Sequence, residues 1–179
     1  MENNELTKRN IVIGLGNPIL GDDGVGWRVV QEVESYLSEK DLVDEFGLEF
    51  KYLSLGGLSL MEQMVGYKDV LVVDSIVTGQ NPIGSIYSLP LSRLPNLSSE
   101  HSTAIHDTSL QTALEVGRKI DLELPQDVWV VAVEAERVYD FSEDLSPQIA
   151  DVVPIAVNLI LEMLKIGERI EKLIHPEEI

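Results

Sequence analysis

Ile11-Val-Ile-Gly-Leu-Gly-Asn-Pro-Ile-Leu-Gly-Asp-Asp-Gly-Val-Gly26 changes its periodicity midway, and that change decides the fold. Ile11, Val12 and Ile13 form a continuous apolar run that stops at Gly14, the pattern of a short strand buried on both faces. A glycine-rich turn follows. From Asp22 or Asp23 onward the spacing predicts a helix, because Val25, Val29, Val33 and Leu37 recur every four residues with Val30 beside them. A buried strand leading through a turn into an amphipathic helix is the unit from which helix-covered parallel sheets are built.

Outward from this unit the alternation continues. Leu48 to Leu55 reads as a second strand, followed by a short helix with Leu58, Met61 and Val65 on one side. Val70-Leu-Val-Val73 is a third, doubly buried strand ending at Asp74. Gly84 to Pro90 reads as an edge strand, since proline cannot donate within a sheet, with an antiparallel sense left open to it. Residues 91 to 105 are polar and serine-rich, with Pro95 inside, and read as an exposed loop. A helix is expected from His106 or Asp107, with Leu110, Ala113, Leu114 and Gly117 toward the sheet. Val128 to Val133 is the last strand. Ser146-Pro147 is a helix start signal, a hydroxyl cap followed by proline. One apolar stripe then runs from Ile149 through Val152, Val153, Ala156, Leu159, Ile160, Met163 and Leu164. The expected architecture is α/β, a three-layer α/β/α arrangement around a mostly parallel, twisted sheet of about five strands.

The chain has 179 residues and is 44% apolar, which suits one domain over residues 1–179, with a core from 10 to 168 and frayed termini. It contains no cysteine, which excludes disulfides, thiolate metal sites, iron–sulfur clusters and a cysteine nucleophile. The net charge of −18 repels nucleic acid and anionic membranes. Its ordinary explanation is a solvated acidic surface, with attraction to a basic partner as the alternative. Met1 to Asn10 lacks the apolar core of a signal peptide, and no run approaches the roughly 18 apolar residues that span a bilayer. A cytoplasmic protein is expected.

Ligands of open parallel sheets bind beyond the carboxyl ends of the strands. Past the first strand comes the Gly14–Gly26 loop; past the third comes Asp74; ahead of the following helix comes His106. Three segments thus deliver two carboxylates, Asp23 and Asp74, and one imidazole to a common edge. Each has an ordinary explanation beside the chemical one. A carboxylate in a first helical turn stabilises the helix by about 0.3–1 kcal/mol, which accounts for one of Asp22 and Asp23 but not both. Asp74 has the competing explanation of a cap of its own turn, and His106 that of a helix-start residue, but the functional reading of Asp74 is favoured because ligands collect at this edge. Of the other histidines, His101 lies in the serine-rich loop and His175 in the tail. Two carboxylates and an imidazole suit zinc, nickel, iron or manganese with open positions. Two aspartates sharing one proton, with water as nucleophile, are the alternative. A dinucleotide site fits less well: Gly14-x-Gly16 is present, but Ile19 stands at the third glycine position and Ser54-Leu-Gly56 lacks the acidic residue. No Gly-x-Ser-x-Gly elbow occurs.

The loop from Gly14 to Gly26, the strand Leu71-Val-Val-Asp74 and the stretch His106-Asp-Thr-Ser-Leu110 stand in the order found in hydrogenase maturation proteases, and the chain resembles that family over about residues 10 to 165. The resemblance implies a phosphorylase/hydrolase-like fold. It implies an endopeptidase that removes the C-terminal extension from the large-subunit precursor of a nickel–iron hydrogenase after nickel insertion. Asp23, Asp74 and His106 would be both the catalytic and the metal-contacting residues. They would read the nickel carried by the precursor, with no permanently bound cofactor, and other divalent metals such as zinc or cadmium would fit the same site. Gly16, Asn17 and Asp22 would form the supporting loop, with Gly16 and Asn17 offering donors to a developing oxyanion. Hydrolysis would be metal-assisted or aspartic-type, by a monomeric enzyme. The alternatives are a checkpoint that binds the same precursor without cutting it and a nucleotide-binding enzyme. Two departures stand out: some relatives carry glutamate where this chain has Asp23, and Leu55-Gly-Gly-Leu58 replaces an Asp-Gly-Gly-Thr-like stretch that bears on which hydrogenase is processed.

Overall fold

β-Branched runs become strands here because their side chains pack on both faces of a pleated surface. The computed structural model describes residues 10–94, 109–136 and 141–164. β1 (Asn10–Leu15), β2 (Leu48–Leu53), β3 (Val70–Ile76), β4 (Ile86–Pro90) and β5 (Val128–Glu134) form one sheet in the order β2-β1-β3-β5-β4. The neighbours are parallel except β4, which runs antiparallel to β5 at the edge. The mostly parallel five-stranded sheet with β4 at its edge is as expected.

Alternation along each strand splits the core in two. Val12, Leu71, Val73, Val131 and Val133 pack beneath α1 (Val25–Ser38) and, toward the C-terminal end of the chain, α4 (Pro147–Ala150) and α5 (Val153–Met163). Ile11, Ile13, Val70, Val72, Val130 and Ala132 face α2 (Gly57–Glu62) and α3 (Leu110–Lys119). The α1 stripe of Val25, Val29, Val33 and Leu37 is fully buried; each such side chain contributes about 1.5–3 kcal/mol. Trp27 Nε1 donates to the Leu53 carbonyl at 3.2 Å, and the Tyr52 hydroxyl donates to Glu34, so the first and third turns of α1 are tied to β2.

Three local expectations change. α2 buries Leu60 and Met61, with Met64 just beyond, while Leu58 and Val65 are exposed; six residues of helix are too few for periodicity to select the face. α3 begins at Leu110 rather than at His106 or Asp107, because the Ser109 hydroxyl accepts from the Thr112 N–H and caps it there. The final stripe is not one helix but two, α4 and α5, broken at Asp151–Val152. Pro154 has no N–H to give and its ring crowds the carbonyl four residues back, so a fresh helix starts around it. Among the described residues no helix is long and apolar enough to cross a membrane.

Candidate active site

The chain leaves β1 for β2 on one side and reaches β3 on the other, so the crevice between the carboxyl ends of β1 and β3 is the topological switch point of the sheet. The β1–α1 loop lines it, and its glycines explain how. Gly16 has φ 115°, and a Cβ there would sit 1.8 Å from the Asp23 carbonyl oxygen. A Cβ on Gly26 would lie 2.3 Å from the carbonyl oxygens of both Leu15 and Val73. The glycines therefore let the loop fold over the start of α1 and let α1 rest directly on β1 and β3. That is a packing use, distinct from cradling a phosphate.

The loop presents Asp23 to the crevice. Its Oδ2 accepts the Asn17 backbone N–H at 2.6 Å and its Oδ1 accepts the Ser75 hydroxyl at 3.3 Å. Asn17 turns its own Oδ1 to the Ile19 N–H at 3.3 Å. The Asn17 backbone N–H, expected to serve an oxyanion, is thus spent on Asp23. It is also the kind of donor a nucleotide phosphate would need, so the acidic turn works against that alternative. Asp22, the other member of the pair, is buried and accepts the Ser146 backbone N–H at 2.6 Å. It caps α4 across the fold, and the Ser146 hydroxyl, expected as that cap, makes no capping bond. Gly21 N–H to the Ser142 carbonyl at 2.7 Å and Ser142 N–H to the Ile19 carbonyl at 3.0 Å hold the 141–146 segment against the same loop.

Asp74 lies on β3, partly exposed, on the face toward α2 and α3, with Oδ1 accepting the Ser75 N–H at 2.8 Å. Desolvation of the carboxyl, reinforced by the negative charge of Asp23, pushes its pKa up to about 7 despite the Ser75 hydrogen bond. A carboxyl poised at neutral pH beside a second aspartate can hold a proton or release it, the property required of a general acid or base.

His106, like His101 and His175, lies outside the described residues. Among the described residues no group of three or more His, Cys, Asp or Glu side chains is arranged to hold a metal ion. Asp23 and Asp74 supply oxygen donors with lone pairs left beyond the hydrogen bonds to Asn17 and Ser75, two donors toward a cation but not a complete set.

Sequence reasoning missed Glu134, at the carboxyl end of β5. It is buried and accepts from Thr78 N–H at 2.7 Å, Gly79 N–H at 2.8 Å, Thr78 Oγ1 at 2.6 Å and the Tyr87 hydroxyl at 2.5 Å. Burial raises its pKa, but these bonds outweigh it and the net shift is downward. Glu134 fixes the segment that follows β3. The signal was there: it follows Val133 as Asp74 follows Val73, a charge closing an apolar strand.

A family model described as hydrogenase maturation protease matches residues 27–163, a span that includes Asp74 and begins after Asp23. The hydrogenase expression/formation protein HupD of Thiocapsa roseopersicina is 25% identical over 156 residues, covering 86% of this chain and 66% of its own length. The solved hydrogenase 2 maturation peptidase of a Thaumarchaeota archaeon is 28% identical with a TM-score of 0.59, covering 88% of this chain and 98% of that one. The hydrogenase maturating endopeptidase HybD of Escherichia coli is 23% identical with a TM-score of 0.66, covering 89% and 93%, and it shares the fold.

Proposed function

The chain belongs to the hydrogenase maturation protease family, a family of peptidases, and we propose that it removes a C-terminal extension from the large-subunit precursor of a nickel–iron hydrogenase once nickel is in place. The observation that carries this reading is the family match over residues 27–163, with Asp23 and Asp74 brought together through Ser75 in the switch-point crevice. Asp23, braced on both oxygens, takes a proton from water as the water oxygen attacks the scissile carbonyl carbon. Asp74, holding its proton, donates it to the carbonyl oxygen. Collapse of the tetrahedral species expels the peptide nitrogen, which takes up the proton first removed from the water, while Asp74 takes its proton back from the hydroxyl that becomes the new carbonyl. The nickel carried by the precursor is part of the substrate. On the alternative, metal-assisted route Asp23, Asp74 and His106 would instead contact it, with both carboxyls unprotonated, and bring the scissile bond into register.

The crevice rim supports a polypeptide substrate. Ile19, Leu55, Leu58 and Phe141 are exposed to 46%, 43%, 46% and 82%. Their loops are fastened side by side through Ser54 Oγ to the Gly16 carbonyl at 2.7 Å and Ser142 N–H to the Ile19 carbonyl at 3.0 Å. Apolar side chains on a rigid rim around two acids suit an extended chain better than a small ion alone. The enzyme acts as a cytoplasmic monomer in this reading. The test is incubation of nickel-loaded precursor with the protein, followed by intact-mass measurement. Loss of the mass of a C-terminal peptide supports cleavage. A tight complex with no mass change assigns the protein to a checkpoint role instead.

A further inference from the structure

Among the described residues Ser75 is the one bonded to both acids, and it uses different atoms for each. Its backbone N–H donates to Asp74 Oδ1 at 2.8 Å, and its hydroxyl donates to Asp23 Oδ1 at 3.3 Å. Strand geometry makes this possible. Leu71 and Val73 of β3 face the α1 layer, whereas Val70 and Val72 face the α2–α3 layer. By alternation Asp74 points to the second layer and Ser75 to the first, where the β1–α1 loop delivers Asp23. Asp23 is then held from two sides, by Asn17 N–H on Oδ2 at 2.6 Å and by Ser75 on Oδ1. Without Ser75, rotation about the Cβ–Cγ bond pivots on the Asn17 contact alone. Packing does not call for a hydroxyl at this position, where alanine fills nearly the same space.

We propose that Ser75 is a positioning residue, whose hydroxyl fixes the plane of the Asp23 carboxylate against Asp74 across the crevice. The inference rests on the peptidase reading for its kinetic consequence and on geometry alone for its structural one. Ser75→Ala deletes the Asp23 bond and leaves the backbone bond to Asp74 intact, so it isolates the positioning effect. Loss of a hydrogen bond to a charged group predicts a fall in kcat of about ten- to a hundredfold with KM unchanged. Ser75→Thr keeps the hydroxyl on a β-branched side chain suited to a strand and restores most of the rate.

A second readout needs no cleavage. With 13C-labelled aspartate, and the Asp23 carboxyl resonance assigned through Asp23→Asn, Ser75→Ala shifts that resonance while distant backbone amides stay in place, and Ser75→Thr returns it. Two results overturn the proposal: an Asp23 resonance unmoved in Ser75→Ala, or wild-type kcat in that variant. If the wild-type protein fails to cleave nickel-loaded precursor while the resonance moves as described, positioning by Ser75 stands and the peptidase reading falls.

Discussion

Replacing Asp74 with asparagine is expected to stabilise the protein while removing its activity. An unfolded aspartate titrates near 3.8, whereas the Asp74 carboxyl in the folded protein titrates at about 7, raised first by desolvation and then by the charge of Asp23. Below the lower value both states hold the proton and the group is silent. As pH rises between the two values, the unfolded chain gives up its proton and the folded protein keeps it, so linkage favours unfolding. Above about 7 the penalty is complete. At 1.36 kcal/mol per pH unit, the gap corresponds to about 4 kcal/mol, and at pH 5 to less than half of that. Asparagine keeps an oxygen able to accept the Ser75 N–H and carries no charge to desolvate. Urea unfolding of wild type and Asp74→Asn, in a chelator and at about pH 4, 6 and 8, measures the difference. The variant should gain little at the lowest pH and up to about 4 kcal/mol at the highest. A variant less stable than wild type at pH 8, or a difference that ignores pH, would refute the reasoning.

Glu134 has the opposite sign: its pKa is lowered from 4.5, so its contribution is present above that value and fades as pH falls through the folded pKa. Glu134→Gln should lose about 1–3 kcal/mol at neutral pH, with a smaller difference below pH 4, as read from urea midpoints. Gly26→Ala forces a Cβ to 2.3 Å from two carbonyl oxygens and should cost about 3 kcal/mol or more, visible as a lowered Tm or failure to fold. His106→Ala should abolish precursor processing with an unchanged melting temperature; normal cleavage by that variant removes His106 from the site.

Strand runs were the most legible part of the fold, because Ile11–Ile13, Val70–Val73 and Val130–Val133 are apolar on both faces and only a covered sheet buries them. The Asp23–Asp74 juxtaposition was legible for a related reason: parallel topology gathers strand ends at one edge. What the residues could not convey was the division of labour there. Asp22 and Asp23 are adjacent and chemically identical, yet one caps α4 and the other faces the crevice, a choice made by residues near 146 and 75. Ser75 carried no local signal, since its role depends on a loop more than fifty positions away. The break in the last apolar stripe was readable at Pro154 but was masked by a periodicity that continues across it. His106 falls outside the described residues, so its place in the crevice rests on the proposal.

The central claim is that two aspartates from distant segments act together to cut a polypeptide. Its most direct measurement is the intact mass of nickel-loaded hydrogenase large-subunit precursor after exposure to wild type, Asp23→Asn and Asp74→Asn. The account predicts loss of one C-terminal peptide with wild type and an unchanged mass with either variant. Cleavage by both variants at the wild-type rate would contradict it.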